Sequence, residues 1–344
     1  MVHIRRAERN KQPGVCYAVT NDGLELPVVD VTHPAFACEL SAEKEARLVQ
    51  RFLKEQRRFA RLPAWLRIAM VRFFLRGSRI ARGVRRAEGT FLDAMTTYLF
   101  KLGPQNLGSY AVPADRIILR SLPAISVRLR VHDMARLLAE ELRPRLDRAP
   151  QQPLFLVNIA GGPAIDSLNA LIVLQRDSPA SLSGRRVDIC VLDDADDGPA
   201  FGARALAALR EPGAPLAALD IGFEHRRYDW REVAGLEAAL ELARSRGALV
   251  TASSEGGLFE YGADADIVQN LRALAEGTRG AAFVVGSVTR DDEVIRTLKL
   301  TSTAATQPRG LATFSRLAER AGFRVTRSVA RPLSDQVVLM PQAD

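Results

Sequence analysis

The sequence predicts an α/β protein, a mainly helical first part followed by a Rossmann-like sheet of seven strands that closes in an antiparallel hairpin. Three observations predict it. After Pro153, apolar runs alternate regularly with helical patterns. The first of these runs, Leu154 to Ala164 (LFLVNIAGGPA), empties directly into a loop of small residues, which is how a parallel sheet brings backbone N–H groups close to a nucleotide-like ligand. The last helical pattern, ended by Gly322, is followed by two apolar runs near enough to pair with each other.

The chain divides near Ala149–Pro153, into a helical lid or dimerisation region over residues 1–150 and a ligand-binding domain over 151–344. In the first part, VCYAVT and LELPVVDVT flank Asn21-Asp22-Gly23, a strong local signal for a hairpin. Ser41 is placed to cap a helix that Pro63 breaks. Further helices are expected over Ile68–Leu75, Gly89–Leu102 and Arg130–Leu142, punctuated by Gly103-Pro104 and Pro113.

In the second part, strands are expected at Leu154–Ala160, Val187–Asp193, within Gly222–Asp229, at Ala248–Ser253 and at Ala281–Val288. Helices at Ile165–Arg176, Ala200–Leu209, Arg231–Arg246 and Ala265–Glu276 separate them. A helix at Leu311–Ala321 then leads to the closing pair, Phe323–Val329 and Gln336–Met340.

The 344 residues are 47% hydrophobic and 26% charged, enough for one large domain with a sizeable appendage. Charge is uneven. Residues 1–150 hold 27 Lys and Arg against 15 Asp and Glu, whereas 151–344 hold 21 against 25. From Arg51 to Arg86 twelve basic residues face a single acid, Glu55. Such a stretch suits nucleic acid, an acyl-carrier protein or an anionic substrate. It equally suits amphipathic helices with solvated arginines, because Phe52, Phe59, Leu62, Leu66, Met70 and Phe73 recur near helical spacing and are expected to face a core. No recognised nucleic-acid module accompanies the charge, so nucleic acid is not the expected partner. No run approaches the roughly 18 apolar residues of a spanning helix. The polar start, MVHIRRAERNKQPG, has no apolar signal core, so a cytoplasmic protein with no membrane contact is expected. Cys16, Cys38 and Cys190 are far apart and the four histidines are isolated, which suggests neither a disulfide framework nor a metal site.

The order of elements, with a glycine-rich loop after the first strand and a closing hairpin, resembles the class I S-adenosylmethionine-dependent methyltransferases from about Pro153 to Gln342. In that family the first strand ends in an acid followed by alternate glycines. The matching positions are Asn158, Ala160, Gly162 and Ala164, with an additional Gly161. The resemblance implies that this loop lies against the methionine part of S-adenosylmethionine. It also implies that Asp193 accepts hydrogen bonds from both ribose hydroxyls, one carboxylate offering two oxygens to two donors. Asp229 then meets the adenine amino group, with Tyr228 or Trp230 packed on the ring unless these are ordinary core aromatics. His225, on the face of Asp229, reads as a structural histidine. The spacing of about thirty residues from Gly162 to Asp193 exceeds the roughly 20 of dinucleotide-binding units, which leaves a nicotinamide enzyme as a competing reading.

Past the fourth strand, TASSEGGLFEYG falls where open α/β sheets bind ligands, so Ser253, Ser254 and Glu255 are expected to border the reacting centre, with Tyr261 opening the next element. EGGLFEYG resembles the Glu-Gly plus Tyr signature of leucine-carboxyl-type methyltransferases. Methyl transfer needs an acceptor aligned with the methyl–sulfur bond and water excluded, so the expected activity is methylation of a small molecule in secondary metabolism under a helical lid. One departure suggests another product. Asn158 stands where the family has an acid and does not stabilise the methionine ammonium, and a neutral amine is a nucleophile. It would close on the cofactor's own γ-carbon to azetidine-2-carboxylate and release methylthioadenosine, as methyltransferase-like azetidine synthases do. Asn158, Ser253, Glu255 and Tyr228 are the candidate catalytic residues, and Tyr17, Tyr110 or Tyr228 are candidates for facing a sulfonium. The remaining readings are an RNA or carrier-protein methyltransferase and a non-catalytic cofactor sensor. The expected partners are a small molecule or the cofactor itself, and a second copy of the chain.

Overall fold

The structure, a computed structural model, describes residues 11–87, 92–300, 302 and 304–342. The start of the helix expected over Gly89–Leu102, the first ten residues of the polar opening run and the last two positions of the second part lie outside the described residues.

The first part opens with an antiparallel hairpin, β1 (Tyr17–Val19) and β2 (Glu25–Pro27), turned at Asn21-Asp22-Gly23 as the dipeptide chemistry requires. Helices α1 (Ala42–Ala60), α2 (Ala64–Phe74), α3 (Arg79–Arg86), α4 (Ala94–Leu102), α5 (Pro113–Ile118) and α6 (Leu122–Arg148) follow. The Ser41 side chain accepts from Lys44 N–H, and Pro63 separates α1 from α2. Two short helices, α3 and α5, were not expected. The helix expected over Arg130–Leu142 is twice that length, because Pro123 sits in its first turn where no N–H is needed, and the chain continues through Pro144 near its other end.

The second part alternates β3 (Leu154–Ile159), α7 (Ile165–Asp177), β4 (Arg186–Asp193), α8 (Asp197–Leu209), β5 (Asp220–Arg227), α9 (Ala234–Ser245) and β6 (Leu249–Ser254). It continues through α10 (Leu258–Tyr261), α11 (Asp264–Gly277), β7 (Phe283–Thr289), α12 (Glu293–Lys299), α13 (Gly310–Arg320), β8 (Phe323–Ala330) and β9 (Ser334–Pro341). The strand order is β5-β4-β3-β6-β7-β9-β8, parallel except that β9 runs antiparallel to both β7 and β8. All six residues of β3 are buried, as a central parallel strand covered on both faces requires. Edge strand β8 keeps Arg324, Arg327 and Ser328 exposed, which blunts it against further pairing.

Two apolar layers sandwich the sheet. One packs Leu236, Leu240, Leu271 and Phe314 of α9, α11 and α13 on it. The other joins Leu168 and Leu171 of α7 to Met134 and Leu138 of α6, and reaches Leu26 and Val28 of the hairpin and Tyr98 of α4. The first 150 residues therefore have two fates. The hairpin, α4 and α6 share the sheet's core, whereas α1 and α2 stand over it. Of the six apolar positions expected to face a core between residues 52 and 73, only Phe52 is buried, while Met70 and Phe73 are exposed.

Candidate functional site

The carboxyl ends of β3, β4 and β6 are built by register. Asn158 pairs across to Val191 on one side and Ser253 on the other, so the two polar residues at the ends of neighbouring strands meet. Asn158 Nδ2 donates to Ser253 Oγ at 3.1 Å and to Asp166 Oδ1 at 2.7 Å. Asp166, in the first turn of α7, escaped the sequence reading although it lies only two residues past the loop. It supplies a carboxylate beside Asn158, where the sequence indicated that one was missing. Burial pushes the Asp166 carboxyl up, with Glu255 adding to the shift. Two buried acceptors here, Asn158 Oδ1 and Asp166 Oδ2, have no hydrogen-bond partner, and neither does the nearby Ser254 hydroxyl.

The loop leaving β3 is strained. Ala160, Gly162 and Ala164 have φ of 53°, 57° and 51°. These are the three positions that the resemblance fills with glycine, so the backbone follows the glycine pattern with alanine at two of them, at a cost of roughly 1–2 kcal/mol each. Gly161 is required for a different reason. A Cβ there would lie 2.0 Å from Asn158 Oδ1. A Cβ on Gly162 would lie 2.6 Å from that of Ala94, so the first residue of α4 rests on the loop.

Asp193 ends β4 and is partly buried. Its Oδ2 accepts from Gly162 N–H at 2.9 Å and its Oδ1 from Ala195 N–H at 3.0 Å. Burial raises its carboxyl in spite of those two bonds. His225 ties the same strand end, its Nε2 lying 2.9 Å from the Asp193 carbonyl, in keeping with a structural histidine.

The other end of α4 carries Lys101 into the interior, where it pairs with Glu255. Glu255 Oε1 accepts from Arg130 Nε of α6 at 2.7 Å, and Arg130 Nη1 donates to Glu260 Oε1 at 2.7 Å. Burial would raise the Glu255 carboxyl, and the Lys101 and Arg130 charges overcome it, leaving the group below its ordinary value. Arg130, opposed by burial, is held charged by Glu260 and Glu255. Ser287 Oγ bridges Glu260 and the Gly256 N–H. Lys101, Arg130 and Glu260 were all missed from sequence. A lone lysine in AMTTYLFKL was the available signal, whereas Arg130 sits among Arg128, His132 and Asp133 with nothing to single it out.

The remaining expected residues fall elsewhere. Tyr228 is turned into the core behind the sheet, where its hydroxyl donates to Asn270 Oδ1 at 2.5 Å, so it faces no ligand space. Asp229 is solvent-accessible and held by Arg231, which lowers its carboxyl. Trp230 packs partly buried beside the same core, and its carbonyl accepts from Asn270. Tyr17 belongs to the hairpin and Tyr110 to the main core.

A cavity of about 930 Å³ lies between the segment that follows β6, the end of β7 and the first-part helices, and Asn158, Asp166, Asp193 and Ser253 do not line it. Phe52 of α1, Val84 of α3, Phe100 of α4 and Ile295 of α12 line it, and Arg130 and Tyr261 face it from the charged cluster. Burial and Glu260 push the Tyr261 hydroxyl up to about 12.

The sheet order, with its last strand inserted antiparallel between neighbours, is the one the sequence resemblance implied. The fold is the class I methyltransferase fold. No family model matches the chain, and no curated protein does. Among solved structures the fold is similar to that of a possible exported protein from Bordetella parapertussis, with a TM-score of 0.56 and 18% identity over 89% of this chain and 100% of that one. Weaker likenesses include a mitomycin 7-O-methyltransferase, with a TM-score of 0.41 and 17% identity over 76% of this chain and 66% of that one. Another is a magnesium protoporphyrin IX methyltransferase from Synechocystis with bound SAH, with a TM-score of 0.40 and 12% identity over 63% and 87%. Among the described residues no helix is long and apolar enough to cross a membrane, and no group of His, Cys, Asp or Glu is arranged to hold a metal.

Proposed function

We propose that the chain is an S-adenosylmethionine-dependent enzyme that transfers a methyl group to a small molecule held in the 930 Å³ cavity. The orphaned acceptor pair at the end of β3 carries the reading. Two buried oxygens without donors, Asn158 Oδ1 and Asp166 Oδ2, cost about 1–3 kcal/mol each as they stand, a cost that a cationic donor such as an ammonium would relieve. The glycines carry less weight, because Asn158 and Ala94 fill the space beside them. When bound, the cofactor supplies an electrophilic methyl on a sulfonium.

The chain's own residues then have distinct tasks. Asn158 and Asp166 would hold the ammonium, and Asp193, each of whose oxygens has a lone pair left, would take the ribose hydroxyls. Ser253 orients Asn158 through its hydroxyl. Glu255, between Lys101 and Arg130, and Glu260, paired with Arg130, position α4 and α6 over the strand ends. The apolar wall made by Phe52, Phe100 and Ile295 excludes water from the acceptor. Asp166 also bears on cyclisation. The argument for a neutral amine rested on a missing carboxylate, and one lies 2.7 Å from Asn158. Methyl transfer is the reading retained.

Calorimetric titration with S-adenosylmethionine tests the proposal. Saturable binding that Asp166→Asn weakens at least tenfold is expected, and absence of binding overturns it. Mass spectrometry after incubation with the cofactor alone separates the two chemistries, since enzyme-dependent methylthioadenosine would replace methyl transfer by ring closure.

A further inference from the structure

Helix α2 is apolar in sequence and stands outside the core. Four of the seven large hydrophobic residues found exposed among the described residues lie on its eleven positions: Trp65 at 71%, Ile68 at 53%, Met70 at 47% and Phe73 at 83%. None of its described side chains is buried. Four exposed large apolar side chains on a single helix need a partner. The surroundings say which sign the partner carries. Between Arg51 and Arg86 the ion pairs are Arg51 with Glu55, Arg57 with Glu293 and Arg79 with Asp22. Among the described residues Arg58, Arg61, Arg67, Arg76, Arg82 and Arg85 have no acidic partner.

We propose that α2 and the arginines flanking it form a surface that docks on an anionic lipid bilayer, with Trp65, Ile68, Met70 and Phe73 inserted at the headgroup level. Tryptophan and phenylalanine with arginines nearby in sequence suit the headgroup level of an anionic bilayer. The apolar side chains supply depth, and each basic residue near an anionic surface adds about 1 kcal/mol. Long arginine stems lie along the apolar surface while their charged ends reach the headgroups. A second copy of the chain is the poorer occupant, since self-pairing sets unpaired arginines against arginines. Leu75, the residue after α2, lines the cavity together with Val84 and Arg85 of α3. The docking surface stands on exposure and charge alone and holds whether or not the cofactor assignment does.

The test is cosedimentation of the full chain with vesicles of phosphatidylcholine alone or mixed with phosphatidylglycerol. Binding to the mixed vesicles at low salt, release as salt screens the charges, and little binding to phosphatidylcholine alone are expected. Phe73→Glu should reduce partitioning by about tenfold or more, the loss of one buried aromatic side chain. Bromine on the lipid tails should quench fluorescence, and Trp65→Phe should abolish the quenching while leaving sedimentation intact. Both side chains are exposed, so unchanged circular dichroism and melting check that the variants fold. No association with the anionic vesicles, or association unaltered by Phe73→Glu, overturns the proposal. A concentration-dependent dimer that Phe73→Glu dissolves would assign the helix to a second copy instead.

Discussion

The strand ends and helix α2 sort their residues in opposite ways. At the strand ends Lys101, Arg130, Glu255 and Glu260 are buried, and at α2 Trp65 and Phe73 are among the most exposed side chains described. Each departs from the ordinary rule that charge faces water and apolar surface hides, and each has its own compensation. Inside, two cations meet two carboxylates with hydrogen bonds on both sides. Outside, none of the described residues buries Trp65 or Phe73. A buried charge network is defined by its internal partners, and an exposed apolar helix by an external one.

This contrast can be broken from the inside first. Glu255→Ala leaves Lys101 and Arg130 facing each other without an acid between them, and a loss of about 3–5 kcal/mol in urea unfolding is expected. Next comes Gly161→Ala. Its methyl would meet Asn158 Oδ1 at 2.0 Å, and a loss of about 1–3 kcal/mol, with weaker cofactor binding in calorimetry, is expected.

Titration sharpens the same comparison. Glu255 lies below its ordinary value, so its contribution is present above the glutamate range and fades as pH falls through the lowered value. Asp166 lies above its ordinary value, so the folded state holds that proton more tightly and stability declines as pH rises through the window between ordinary and raised values. Asp166→Asn should therefore gain on the wild type in unfolding experiments as pH rises past about 4, and match it most closely at lower pH.

Smaller effects follow. Ala160→Gly removes a left-handed alanine, and a gain of about 0.5–1 kcal/mol is expected once the added freedom of the unfolded chain is subtracted. Trp65→Ala, on the exposed helix, should shift stability by no more than about 0.5 kcal/mol although it removes the largest side chain there. A substantial loss in that variant would show α2 to be packed, and the contrast would fail.

Much of the fold was legible because it is written locally. The Asn21-Asp22-Gly23 turn, the Ser41 cap, the break at Pro63 and the strand-helix alternation after Pro153 each depend on residues within one turn or one strand. The small-residue loop Ala160–Ala164 was placed after the first strand for the same reason, and three of its residues have positive φ. The site was legible only along the strands. Asn158 was named from the family resemblance and Ser253 because parallel sheets bind ligands at their strand ends, and the two do meet. Tyr228 was misjudged because strand periodicity gives a face only within the strand, and Tyr228 follows the last residue of β5. The surface role of α2 was hidden because spacing near the helical period shows which residues share a face, and only packing decides whether that face has a neighbour.

The sequence by itself determined the class of fold, the order of its elements and the position of the glycine-rich loop, since backbone conformation and hydrophobic periodicity are short-range properties. Only the tertiary structure decided that Asp166 lies beside Asn158, that Lys101 and Arg130 share Glu255 across separations of 154 and 125 residues, and that α2 stands uncovered. Those facts depend on which surfaces are brought together when the chain closes on itself. Burial, and with it the energy of a charge or an aromatic ring, is a property of that closure.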